Sequence, residues 1–331
     1  MSQVFVTHPT APRALYFGAK ACAALEALAP VVYNPHDREL TPAELADMAR
    51  DCAYVISYRQ TAADAALFAA LPNLQAWLRC AIDIRNIDVT AASRHGVLVT
   101  QASAGFVASV CEWTIGAMID LGRHISLATE AYHAGQVPPA RMGRELRGST
   151  LGVIGYGQIA RRLCDLALAF GMRVVVSDPF APVDHPDIEA CDLDALLSQS
   201  DYVVCLAVAT PETENLMHAA RFAAMRRGAF FINPSRGNLV DETALLAALD
   251  SGQLAGCALD VGRAPDQMPT PAVARHPRVI ATPHTGGLTP ASIEHQALET
   301  VAQVGALLQG RMPVGAVNPA QATRWQASRA A

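Results

Sequence analysis

Five short runs rich in β-branched and aromatic residues, VFVT, APVVYN, AYVISY, QAWLRCAI and GVLVTQ, punctuate residues 1 to about 100, with Ala/Leu-rich stretches of helical character between them. That alternation is the β-α-β rhythm of a parallel sheet. Residues 105 to 132 then read as one long apolar helix, GFVASVCEWTIGAMIDLGRHISLATEAY, a core or inter-subunit element. After GRELRGST the rhythm restarts with LGVIG, RVVVSD, YVVCLAV, AFFINPS, GCALDV and RVIATPH, which predicts a second parallel sheet. A last helix is expected over TPASIEHQALETVAQVGALLQG, opened by Thr289 and Pro290 and crossing back to the first domain. The polar tail from Ala320 onward is expected to fray.

Length and charge narrow the classes. With 331 residues the chain suits two cores, and a net charge of −5 without a block of like charges speaks against nucleic acid as a partner. Of the 25 basic residues only Lys20 is a lysine, on an early helical stretch, which speaks against Schiff-base chemistry and a Walker-type phosphate loop. The eight cysteines are scattered without a C-x-x-C pair, which reads as free buried thiols in a reducing compartment, with no metal expected. The start MSQVFVTHPTAPR lacks a basic flank before an apolar stretch, and no apolar run of membrane-spanning length follows. The expectation is a cytoplasmic protein with no membrane partner.

The strand-like run LGVIG enters Gly155-Tyr156-Gly157-Gln158-Ile159-Ala160 and then an amphipathic helix. Gly155 allows a tight turn, Gly157 lets backbone N–H groups approach a pyrophosphate, and Ala160 permits close helix-strand packing. Gln158 and Ile159 open the helix whose N-terminus would receive the anion. The next strand ends in Asp178, 21 residues beyond Gly157, where a carboxylate accepts ribose hydroxyls and repels a 2′-phosphate. NAD is therefore expected over NADP.

The segments AFFINPSRGNLVDETALLAALDSGQLAGCALDV and VIATPHTGGLTPASI resemble the signatures of the D-isomer-specific 2-hydroxyacid dehydrogenases, the family of phosphoglycerate dehydrogenase and D-lactate dehydrogenase. The likeness covers roughly residues 50 to 310 and is strongest from 148 to 300. It implies two Rossmann-like, doubly wound parallel-sheet domains with the active site in the cleft between them. In that arrangement residues 1–100, completed by 287–331, form the substrate domain, and 101–286 form an inserted NAD-binding domain. It further implies that Arg236 holds the substrate carboxylate and that His284 donates and accepts the proton. Asp260 would meet the nicotinamide carboxamide, with Pro234, Ser235, Gly286 and Gly287 beside the cofactor. The residue chemistry agrees: histidine is the side chain suited to proton transfer near neutrality, and arginine's planar fork matches a carboxylate. The implied substrate is a 2-hydroxy or 2-oxo acid, and the apolar helix together with the resemblance suggests a homodimer.

Two departures stand out. The family's usual glutamate, five residues after the Asp260 position, is Pro265 here, and Asp266 one position later would serve as its replacement only if the loop bulges. The family's glycine-rich substrate loop reads RCAIDIRNID, with Ala81 and Asp83 in place of glycines. Asp83, with Ile82 beside it and Arg59, Arg79 or Arg85 as a counter-charge, is then expected to meet a hydroxyl or cationic group on the far end of the substrate if it faces the cleft, or else to form an ordinary loop ion pair with Arg85. These departures keep open a second reading, a non-catalytic NAD(H)-binding protein that acts through partner association, as C-terminal binding proteins resembling this family do.

Overall fold

The computed structural model describes residues 2–330. The chain divides into two units, one built from Met1–Phe106 and Pro290–Ala331, the other from Val107–Thr289. The first carries β1 (Val4–Val6), β2 (Val31–Tyr33), β3 (Tyr54–Ser57), β4 (Ala76–Arg79) and β5 (Leu98–Gln101), all parallel, in the order β2-β1-β3-β4-β5. Helices cover both faces, which is why the strands read as unbroken apolar runs rather than as alternating ones. Val4, Val6, Ile56 and Leu78 pack on one side with Ala297, Val301 and Val304 of the helix Pro290–Leu308. Phe5, Val55, Trp77 and Val99 point the other way onto Leu45, Leu67 and Phe68. Lys20, the chain's one lysine, pairs with Glu294 across two helices of this unit.

The C-terminal segment does not fray. It is helical over Thr323–Ala330, with Trp325 buried in the first unit's core and its indole N–H donating to the Leu307 carbonyl at 3.3 Å. The neighbouring Arg324 guanidinium donates to the Leu71 carbonyl at 2.7 Å. One large aromatic ring outweighs the polar composition around it.

The second unit holds β6 (Thr150–Ile154), β7 (Arg173–Ser177), β8 (Ile188–Ala190), β9 (Tyr202–Cys205), β10 (Ala229–Asn233), β11 (Leu254–Leu259) and β12 (Val279–Ala281). They form one parallel sheet in the order β12-β11-β10-β9-β6-β7-β8. Both units are thus doubly wound α/β sheets. Strand order reverses beside β6, between it and β9, and ligands of open α/β sheets bind outside the carboxyl ends of the strands at such a point. The edge strand β8 escapes the pattern analysis because only Ile188 of its three residues is buried.

The helix expected over 105 to 132 is two, Val107–Arg123 and Ile125–His133, broken at His124, which adopts a left-handed φ of 56°. Asp120 explains the break: its carboxylate accepts from the Ser126 backbone N–H at 2.7 Å and from the Ser126 hydroxyl, so it serves the start of the second helix from within the first.

Replacing Trp325 with alanine should lower the unfolding free energy by about 3 kcal/mol. The measurement is a urea titration, in which the midpoint falls while the slope is retained.

Candidate functional site

Six positions at the carboxyl ends of neighbouring strands gather the chemistry of the second unit. β6 delivers Gly155, whose φ is +94° and whose missing Cβ would lie 2.8 Å from the Leu206 carbonyl group, so only glycine fits. Gly157 differs: a Cβ there would meet nothing within 4 Å. The space above it is open, and the helix Gln158–Ala169 starts there with no side-chain cap, leaving its first N–H groups facing outward. Ala160 is buried beneath, as close packing requires. β7 delivers Asp178, which accepts from the backbone N–H of Tyr156 at 2.7 Å, of Phe180 at 2.8 Å and of Ala181 at 3.0 Å. Burial pushes this carboxyl up, but the three N–H donors outweigh it and hold it below the usual carboxylate range. An open glycine cradle, a free helix N-terminus and an ionised acid on the next strand fit a dinucleotide.

The adjacent strands β10, β11 and β12 end in Arg236, Asp260 and His284 respectively. Asn233 shapes the first turn: its amide donates to the Arg236 carbonyl at 2.8 Å and its side-chain oxygen accepts from the Ser235 N–H at 3.0 Å. Pro234 is buried, and the Ser235 hydroxyl donates to the Ala207 carbonyl at 2.8 Å. The Arg236 side chain is half-buried, with Nη1 donating to the Ser235 carbonyl at 2.8 Å.

Asp260 is 2% exposed, and both its oxygens are engaged. One accepts from the Thr282 hydroxyl at 2.6 Å and the Thr285 N–H at 2.8 Å, the other from the Gly286 N–H at 2.8 Å. A Cβ on Gly286 would stand 2.8 Å from that carboxylate, so glycine is what lets the chain approach. Gly287 follows in the same turn, with its carbonyl accepting from the Thr289 N–H at 3.2 Å. His284 sits inside the clamped segment at a left-handed φ of 55°, and its N–H donates to the Thr282 carbonyl at 2.9 Å. Its Nδ1 lies 2.9 Å from the main-chain oxygen of Asp266. Asp266 and Gln267 are both left-handed, with φ of 57° and 60°, and what the loop brings to the imidazole is the Asp266 main-chain oxygen.

Sequence reasoning missed what ties these turns together. A Cβ on Gly237 would fall 2.0 Å from the Gly262 carbonyl oxygen, and one on Gly262 would fall 2.4 Å from the Pro269 Cα. The turn after Arg236 and the loop bearing Asp266 are therefore stacked backbone on backbone. The signal was two bare glycines in SRGN and DVGR, neither in a turn motif.

The first unit holds the remaining predicted positions. The Arg59 guanidinium lies 4.7 Å over the Tyr16 ring, and Ile82 is 37% exposed on the loop after β4. Asp83 takes two bonds to the Arg85 Nε, at 3.0 and 3.1 Å, and one from Nη2 at 2.7 Å, and also accepts from the Arg85 backbone N–H at 3.1 Å.

Residues 115–286 match the D-isomer specific 2-hydroxyacid dehydrogenase, NAD binding domain, family. The chain is 33% identical over 237 residues to a hydroxypyruvate reductase of Thermotoga maritima, covering 70% of this chain and 77% of that protein. The chain belongs to the D-isomer specific 2-hydroxyacid dehydrogenases. It is also 32% identical to a D-3-phosphoglycerate dehydrogenase of Synechocystis sp., over 84% of this chain and 51% of the relative. It thus spans about half the length of the phosphoglycerate dehydrogenases it matches. A solved NAD-complexed family member from Lactobacillus delbrueckii ssp. bulgaricus superimposes with a TM-score of 0.79 at 22% identity, covering 96% of this chain and 100% of that one, which establishes the shared fold. The second unit carries this family's NAD-binding domain.

Changing Asp260 to asparagine turns one acceptor into a donor that faces donors. The expected cost is roughly 1–3 kcal/mol of stability, read as a lower thermal midpoint at neutral pH.

Proposed function

We propose that the chain is an NAD-dependent oxidoreductase that interconverts a D-2-hydroxy acid and its 2-oxo acid. The observation that carries this reading is the row of Arg236, Asp260 and His284 on three adjacent strand ends of the sheet whose order reverses at the glycine loop. Gly155 and Gly157, with the N–H groups of Gln158 and Ile159, hold the cofactor's pyrophosphate, and Asp178 accepts its ribose hydroxyls. Pro234, Ser235, Gly286 and Gly287 form the wall at the nicotinamide end. Asp260 braces that wall through Thr285 and Gly286. The nicotinamide, when bound, supplies or takes up the hydride at the substrate's C2.

The protein's residues do the rest. Arg236 presents its planar fork to the carboxylate, which fixes the acid and places the keto oxygen toward the positive charge. In reduction His284 gives its proton to the oxygen as negative charge develops there and is left neutral; in oxidation it takes the hydroxyl proton. Within the first unit, the Asp83–Arg85 pair offers both signs of charge on the loop that carries the exposed Ile82.

The same reading extends to assembly and location. Ile125, Tyr132, Val137 and Met142 are all more than half exposed along one stretch of the second unit, which supports a homodimer built on it. Eight free cysteines support a reducing, cytoplasmic setting. No helix among the described residues is long and apolar enough to cross a membrane.

Steady-state kinetics over a panel of 2-oxo acids with varied tails tests the proposal. Arg236→Ala and His284→Asn should each lower kcat/KM by about 10²–10⁴ while NADH binding, followed by its fluorescence, is retained. Turnover unchanged in either variant removes that residue from the reaction. NADPH should be the poorer cofactor by at least about tenfold because Asp178 remains ionised and repels a 2′-phosphate. Equal use of the two cofactors would contradict the role given to Asp178.

A further inference from the structure

The geometry points to main-chain control of the reactive histidine: we infer that the Asp266 carbonyl, aimed by two consecutive left-handed residues, fixes His284 with its proton on Nδ1 and leaves Nε2 as the working nitrogen. The inference rests on the proton-transfer role proposed for His284. A carbonyl oxygen has no proton to give, so a contact of 2.9 Å between it and Nδ1 requires Nδ1 to be the donor. Neutral imidazole then has only Nε2 free to accept a proton, and the imidazolium has only Nε2 free to release one.

The conformation that creates this contact is costly and well anchored. Asp266 and Gln267 adopt φ of 57° and 60°, a region that disfavours any side chain by about 1–2 kcal/mol per residue. The surrounding loop over-determines it. The Gln267 carbonyl accepts from the Gly262 N–H at 2.7 Å, the Met268 carbonyl from the Ala264 N–H at 3.0 Å, and Gly262 rests against the Pro269 backbone. Along the chain, Asp260 clamps Thr282, Thr285 and Gly286, the residues flanking the left-handed His284. The ring's own backbone is thus held by the Asp260 carboxylate, and its acceptor by main-chain bonds. In this chain the acceptor carries no titratable proton, whereas a carboxylate partner would add a second ionisation to the reaction. Asp266 is in this sense a positioning residue that acts through its peptide group.

The test reads the ring directly. The full chain labelled with ¹⁵N-histidine, assigned by loss of one signal in His284→Asn, should show His284 in two-bond ¹H–¹⁵N spectra at alkaline pH with a protonated Nδ1 and a bare Nε2. Asp266→Asn and Asp266→Gly both tolerate positive φ and keep the carbonyl, so the tautomer should persist in each. Asp266→Val, β-branched and poorly compatible with that conformation, should lose the single tautomer and lower kcat about tenfold with a far smaller change in KM. A proton on Nε2 in the wild type, loss of the single tautomer in Asp266→Asn, or an unaltered tautomer in Asp266→Val would each overturn the inference. Failure of the wild type to reduce any 2-oxo acid would instead remove the proposed activity, and the spectra would still decide the tautomer.

Discussion

A buried carboxylate sets the geometry on which the candidate site depends. Asp260 is withdrawn from water, and an ionised group in that position is tolerable only when hydrogen bonds replace its hydration. The Thr282 hydroxyl and the N–H groups of Thr285 and Gly286 supply them, all from the turn that follows β12. The demand for hydrogen bonds and the shape of the turn are therefore one problem with one solution. That solution puts His284 into a left-handed conformation between Thr282 and Thr285. Hydrogen bonds to a carboxylate are stronger than neutral ones, and they act against the strain at His284.

Glycine does the complementary work of letting backbones meet. Gly237, Gly262 and Gly286 are not turn residues with positive φ; they are points where another main chain or a carboxylate comes within 3 Å of where a Cβ would be. Gly155 combines both demands, and Gly157 neither, since open space lies beside it. Within one nucleotide-binding unit, glycine thus serves conformation, packing and access at different positions.

Much of this was legible in the sequence because it is carried by side-chain period and by motif. Strands such as YVVC and AFFIN declare themselves as apolar runs, and Gly155, Asp178, Arg236 and His284 stand at strand ends where a linear reading can place them. The edge strand Ile188–Ala190 was missed because one buried residue makes no pattern. The break at His124 was missed because it follows from Asp120 capping a helix six residues on, a choice that local propensity does not encode. The ordered tail hinges on Trp325 finding a pocket supplied by residues distant in sequence. The partner of His284 was hardest to see. Expectation looked for a carboxyl group at residue 265 or 266, whereas the atom that meets Nδ1 belongs to the peptide, and a peptide's direction is set by torsions rather than by residue type.

The stacking of the loops that carry Arg236, Asp266 and His284 has a mechanical corollary. Gly237 lies against Gly262, Gly262 against Pro269, and Asp266 against the imidazole, so displacing one segment strains the next. These three loops are linked through direct contacts, one against the next. A substitution inside this stack that loosens one loop will scatter the orientations of all three side chains together.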